Sequence, residues 1–575
     1  MATARSLPRA LLVAGALLLL SIGLAVWLLR GAGRVDAPAR PGGGTLTATV
    51  RSEPRSFNRL VAIDRTSALV AQLTHARLVR VNLATHEVEP YLAERWTRDD
   101  DGLTWVLELA REARFSDGTP CTADDVVFSA RAALDPRVKS PLAPALTIGG
   151  EPLVVQSRDA HTVVVRFPSA YGPGLRLLDA LPILPRHRLE AALEAGTLRE
   201  AWTVTTPPAE LAGLGPFVLE EYRAGEHLVF ARNPHYFRKD EGGQALPYLD
   251  RLVLTVVPSQ DAEILRLEAG ETDLVTDMVR AEDLARVRRL AAAGQLALDD
   301  LGVALDSDFL VFNLGPGAPR SGPRAWLTRR ELRHAVSMAV DRQRFVDTVF
   351  LGAAVPVGGP VTPANRRWFD PSVPVPAYDP ERAAALLAEI GLRDRHGDGW
   401  LEQPDGRPAR FTLVTQKGNT VRERGAVVVQ EALAAVGLGV DVVTLEQPAV
   451  IDRLMKGQYD AIHFGSLASD TDPASHLDYW LSRGAFHPWH PGQASPATEW
   501  EARIDALMAR QVATVDPVAR REIFFEVQRV FAEELPAIYF AAPRVHVAMS
   551  ARVAGARPAV LNPMVLWNAE RLSVR

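Results

Sequence analysis

The sequence predicts an α/β protein built as two or more lobes. Three observations lead there. The chain has 575 residues, too many for one compact core. Hydrophobic residues make up 47% and charged residues 23%, the balance of an ordinary globular chain. Strand-like and helix-like patterns alternate, most regularly over 379–464, which argues for a parallel sheet with helical crossovers.

In chain order, the TLTATV run at 45–50 and the alternating TWVLEL run at 104–109 read as strands. A helix follows over 123–134, with Thr122 placed to cap it. The TVVVRF run at 162–167 is another strand, and the near-continuous apolar run at 252–257 fits a strand buried on both faces. One helix is expected over 329–349, because Leu332, Val336, Val340, Phe345 and Val349 fall on one stripe. Asp379-Pro380 is a helix cap followed by proline at the first helical position, and Gly391 closes that helix. Then come a strand at 411–414, a helix over 421–436 with Val428, Ala432 and Ala435 on one face, a strand at 440–444, a helix over 448–456 stopped by Gly457, and a strand at 459–464. Ligands of such sheets bind beyond the carboxyl ends of strands, so the loop after Phe464 is a site candidate on topology alone.

Charge and cysteine content narrow the function. Net charge is −5, from 64 basic and 69 acidic residues, which leaves no footprint for nucleic acid. Cys121 is the only cysteine. An internal disulfide and a cysteine-based metal cage are therefore ruled out, and its turn-like setting argues against a catalytic thiol. Arg5 and Arg9 precede an uncharged apolar run that Arg30 ends. Segment 1–30 is thus expected to be an export signal or a retained membrane anchor, with both open, because the run is long for a signal and just long enough to span a bilayer. No cysteine follows it, so a lipoprotein is not expected. The Gly-, Pro- and Ala-rich stretch 31–44 reads as a flexible tether.

A set of ordered blocks carries a resemblance. They are GTLT at 44–47, RLVR at 77–80, EPYLAERW at 89–96, DGLTW at 101–105, RFSDGTP at 114–120 and TADDVVFS at 122–129. GPF at 215–217, ARNPHYF at 231–237, PYLD at 247–250 and LEAGETD at 267–273 come next. RHAVSMAVD at 333–341, Tyr459-Asp460, Asp472-Pro473, LPAIY at 535–539 and LWN at 566–568 complete the set. In this order they resemble the extracellular solute-binding protein family 5, the dipeptide-, oligopeptide- and nickel-binding proteins of ABC importers. The resemblance implies a two-lobed periplasmic-binding-protein fold of type II, in the large cluster with an extra subdomain and an inter-lobe ligand cleft. It implies lobe I with the extra subdomain over 45–303, lobe II over 304–540, and a C-terminal return to lobe I over 541–575. It also implies a monomer in the periplasm, or on the outer face of the cytoplasmic membrane. There it would capture a peptide or peptide-like solute and serve an ABC permease and ATPase complex, without a cofactor and without catalysis. A membrane-tethered sensor or chaperone-like module of the same fold, with a nickel chelate, opine or oligosaccharide as ligand, stays open beside this.

A peptide presents a cationic amine and an anionic carboxylate, and burying either requires a charged or hydrogen-bonding partner. In peptide-binding relatives the Tyr-Asp strand leads to a Trp and then to an Asp that grips the amine. By that resemblance Ser466 takes the Trp position and Ser469 the Asp position, with Asp470 displaced by one and able to serve if the loop shifts. Phe57 and Asn58 would face the cleft from lobe I with an apolar face and an amide. No arginine stands out as a carboxylate partner. The turn and cap residues among the blocks, Asp472-Pro473 included, read as fold-preserving.

His476, His487 and His490 suggest a metal cluster, but the prolines around the last two place them in a loop. Asp394, Asp398 and Gly399 imitate the start of a calcium loop, yet His396 stands where an oxygen is needed, and a turn is the expectation. No metal site is expected.

Overall fold

The computed structural model describes residues 43–315, 318, 324–465 and 470–575. The signal or anchor at 1–30, nearly all of the tether at 31–44, and Ser466 and Ser469 lie outside the described residues.

Two sheets organise the chain. The larger runs in the order 217–223, 227–232, 251–256, 45–50, 274–275, 541–550 and 296–303, with 354–356 added along 541–550. Its first strand, Thr45–Val50, is parallel to both neighbours, and the remaining pairs are antiparallel. Leu46, Ala48 and Val50 are buried on one face. On the other face the buried Thr49 hydroxyl donates to Glu263 Oε1 at 2.9 Å, so the interior polar group is satisfied. A four-stranded antiparallel sheet, ordered 93–98, 104–109, 162–166 and 154–159, stands apart from it. It lies against helix Ala123–Leu134. That helix starts at a reciprocal capping box between Thr122 and Asp125.

The second sheet runs 439–445, 410–416, 461–464, 309–312 and 537–539. Its first three strands are parallel, as the alternation predicts. Strand Phe309–Phe312, which sequence patterning did not single out, enters antiparallel to both neighbours. All four of its residues are buried. Phe309 and Val311 pack into one core, Leu310 and Phe312 into the other, so helices cover both faces. The chain crosses between the two sheets near Val303–Phe309 and again at Tyr539–Ala541. There the Ala304 N–H donates to Pro543 O, and the Val357 N–H donates to Phe540 O.

Three local expectations need correction. The helix over 329–349 is two helices, Arg330–Ala339 and Arg342–Val349. Asp341 restarts the helix by accepting from the Gln343 and Arg344 N–H groups. The buried Arg342 guanidinium donates to carbonyls of Ser337, Val357, Pro376 and Tyr539, which holds the break in place. All five stripe residues are still buried. Strand Arg251–Val256 buries Leu252 and Leu254 fully but leaves Val253 and Thr255 half-covered, so it is not sandwiched on both faces. Helix Thr420–Ala434 turns Gly425, Ala426, Val428, Val429 and Leu433 inward, and Ala435 lies exposed beyond its end. Among the described residues no helix is long and apolar enough to cross a membrane.

Candidate functional site

The loop beyond strand Ala461–Phe464 re-enters the described structure at Asp470, at a carboxyl strand end where topology places a site. Asp470 is gripped from the part of the chain that packs in the core of the larger sheet. Arg176, in the 3-10 stretch Gly174–Ala180, donates through Nε to Oδ1 at 2.9 Å and Oδ2 at 2.7 Å, and through Nη2 to Oδ1 as well. The same guanidinium donates to His86 O at 2.7 Å and to the Thr471 hydroxyl at 3.2 Å. The Thr471 N–H and the Ser475 hydroxyl also donate to the Asp470 carboxylate. Burial would raise the Asp470 carboxyl, but hydrogen bonds and charge from Arg176 outweigh it and hold the group below its usual range.

Two residues on, Asp472 does different work. It caps the turn at 473–476 by accepting from the Ala474 N–H at 2.9 Å, the fold-preserving role expected of it. It also forms a bidentate pair with Arg520 at 2.6 and 2.5 Å, both side chains being under 10% exposed. Arg520 in turn lies 4.8 Å above the Trp368 ring. This pair stays within the part of the chain built on the second sheet, whereas the Arg176–Asp470 pair joins that part to the core of the larger sheet. Other bridges are the Gly172 N–H to Val512 O at 2.6 Å, Arg367 to Glu87 at 3.3 Å, and Arg424 with Thr420 to Glu282.

Two cavities touch the bridge, and a third adjoins one of them. One of about 650 Å³ is walled by Tyr171, Arg176 and Asp179 from one side and by Asp470, Ser475 and Asp478 from the other. A second of about 480 Å³ lies beyond the end of the first strand, against Arg51, Arg65, Asp277 and Trp567. Arg59, Arg77 and Asp179 belong to the walls of both. A third of about 240 Å³, with Tyr479, Trp480, Phe524 and Tyr539, opens on the far side of Asp470. The first two volumes fall in the range of roughly 300–1,000 Å³ usual for small-ligand sites.

Phe57 and Asn58 sit elsewhere than the resemblance implied. Phe57 is buried edge-on to Tyr222, 5.6 Å between ring centroids. Asn58 is buried; its amide donates to Leu198 O and Ala201 O, and its Oδ1 accepts from the Leu60 N–H. Neither contributes to the walls of the two larger cavities. Arg59, the next residue, does.

The three histidines do not converge. His476 bonds Asp470 O, while His487 contacts Tyr479 O and Glu501. Among the described residues the one His/Cys/Asp/Glu group able to share an ion is Asp394, Asp398 and Glu402. Asp394 is occupied as a turn acceptor for the N–H groups of 397, 398 and 399, and Glu402 bonds His396 Nδ1 at 2.8 Å. Cys121 is buried, and burial pushes its thiol well above the usual range, so it is no nucleophile at neutral pH.

Residues 87–487 match the family description of bacterial extracellular solute-binding proteins, family 5. The chain belongs to this family. As a family 5 solute-binding protein it is a binding protein of ABC import and not an enzyme. It is 27% identical over 533 residues to a probable ABC transporter-binding protein of Deinococcus radiodurans, with 89% of each chain covered. It is 26% identical over 523 residues to the oligopeptide-binding protein AppA of Bacillus subtilis, again with 89% of each covered. The solved AppA structure, in complex with a nonapeptide, superposes with a TM-score of 0.72, covering 93% of this chain and 100% of that one at 26% identity. NikA of Brucella suis, solved with Fe(III)-EDTA, superposes at 0.75 with 21% identity over 92% of this chain and 100% of that one, which supports the fold alone.

Proposed function

We propose that this family 5 protein is an extracytoplasmic receptor that captures a peptide or peptide-like solute between its lobes and delivers it to an ABC permease. The observation that carries the reading is the Arg176–Asp470 bridge, set in the wall of a cavity of about 650 Å³ whose lining comes from both lobes. A solute that touches both walls favours the closed arrangement over an open one, and closure by hinge bending is how such an equilibrium becomes a signal to a partner. AppA, similar along nearly its whole length, holds a nonapeptide, which supports a peptide here. Asp470 is already paired, so an incoming amine shares it with Arg176 or displaces that guanidinium.

The test is a thermal-shift panel of peptides of two to eight residues, nickel chelates, opines and short sugars. A bound solute raises the melting temperature by mass action, about 2.7 kcal/mol of stabilisation at a hundredfold excess over Kd. Shifts confined to peptides support the reading. A shift with a chelate, opine or sugar, and none with any peptide, removes the word peptide from it.

A further inference from the structure

The first-lobe wall of the cleft holds an arginine with little to do. Arg59 is half-buried, and among the described residues its guanidinium makes one hydrogen bond, from Nη1 to Ala62 O at 2.9 Å, with no carboxylate in ion-pair range. The nearby arginines are engaged: Arg51 with Glu263, Arg65 with Asp277, Arg80 with Glu89 and Glu570. Arg77 has only Asp179, through a single nitrogen at 3.2 Å. Arg59 and Arg77 stand together in the walls of both cavities. Burial and then the Arg77 charge push the Arg59 guanidinium down to about 10, and Asp64 opposes this from beyond ion-pair distance. A guanidinium kept charged and underused in a cavity is a cost to the free protein that an anion would offset.

A second group points the same way. His75 is buried in the wall of the larger cavity, and its Nε2 has no partner. The Thr74 hydroxyl donates to Val70 O, so in the 2.9 Å contact between Thr74 Oγ1 and the ring the proton is on Nδ1. That leaves Nε2 as a bare acceptor on a neutral ring, whose pKa burial lowers to about 4.

We propose that Arg59 and Arg77 form an anion subsite that takes the terminal carboxylate of the solute, with His75 Nε2 accepting from an N–H beside it. A peptide's carboxyl end carries both groups in adjacent positions. This rests on the reading of the cleft as the solute site and sharpens it by fixing which end of the solute meets lobe I.

The test is native mass spectrometry of the full chain with two synthetic tetrapeptide libraries of the same sequences, one ending in free carboxylates and one in amides. A mixture of di- and tricarboxylic acids forms a third arm. Free acids should be retained at least about tenfold over amides, as for a desolvated charge pair. Arg59→Gln and Arg77→Gln should each bring the two libraries toward parity, while Arg95→Gln, on the exposed surface, leaves the ratio unchanged. Arg59→Gln should also leave the melting temperature of the free protein level or higher, the mark of a residue held for binding rather than packing. Equal retention of acids and amides overturns the subsite and leaves the peptide reading standing. Retention of the carboxylic acids alone, dependent on Arg59, keeps the subsite and overturns the peptide reading. If nothing anionic is retained, or if Arg59→Gln melts several degrees lower with its acid preference intact, the subsite is refuted.

Discussion

Breaking the Arg176–Asp470 bridge should open the protein without unfolding either lobe. The two side chains are 10% and 18% exposed. Charges about 4 Å apart at an effective dielectric near 20 attract by about 4 kcal/mol. Part of that is offset because an open form returns both groups to water. A net coupling of about 2 kcal/mol is reasonable, within the range of close charge pairs across interfaces, and corresponds to roughly a 30-fold change in the closed-to-open ratio. Each single substitution, Arg176→Ala or Asp470→Ala, should cost closure more than this, because it leaves the remaining charge buried and unpaired. The double substitution should recover part of the loss. The assay is the distance distribution between nitroxides at Glu94→Cys and Lys417→Cys, both exposed and on opposite lobes, in a Cys121→Ser background. The four variants form a double-mutant cycle. If the single effects add within about 0.4 kcal/mol, or if the closed fraction is the same in all four, the bridge does not hold the lobes together and the reasoning fails.

Three other outcomes follow from the same geometry. Asp472→Ala should destabilise the second lobe by about 3–5 kcal/mol in chemical denaturation, because Arg520 is left buried without its partner; a loss below 1 kcal/mol would mean that water reaches the pair. Stability should fall as pH drops from about 6.5 toward 4. His75 is held near 4 when folded but titrates near 6.5 when unfolded, so the unfolded chain binds the extra proton in that window and about 3 kcal/mol of its contribution is lost across it. Denaturation midpoints against pH check this, and His75→Phe should flatten the slope. Finally, Cys121 should resist thiol reagents in the native protein and react fully only on unfolding, since it is buried with its thiol raised.

Local chemistry made much of the fold legible. Asp379 caps helix Pro380–Glu389, Gly457 takes the left-handed φ of +62° that ends helix Gln447–Lys456, and the parallel strands appear where alternation placed them. What stayed hidden depends on distant partners. Strand Phe309–Phe312 has meaning only beside Ala461–Phe464 and Ala537–Tyr539. Asp470 could be named from its loop, but its partner lies 294 residues away. Arg59 and Arg77 could not be told from the many other arginines, because what marks them is the scarcity of carboxylates around them in space. Asn58 misled for the opposite reason: its position after the first strand faces inward, where backbone carbonyls use up its amide.

Capture of a solute between the lobes is tested most directly by hydrogen–deuterium exchange of the full chain, with and without the tetrapeptides it retains. The expected result is slowed exchange on both sides of the cleft together, over 171–180 in the first lobe and 470–478 in the second, with the outer strands 439–445 unchanged. Protection confined to one lobe, or lying away from these segments, would contradict binding by closure.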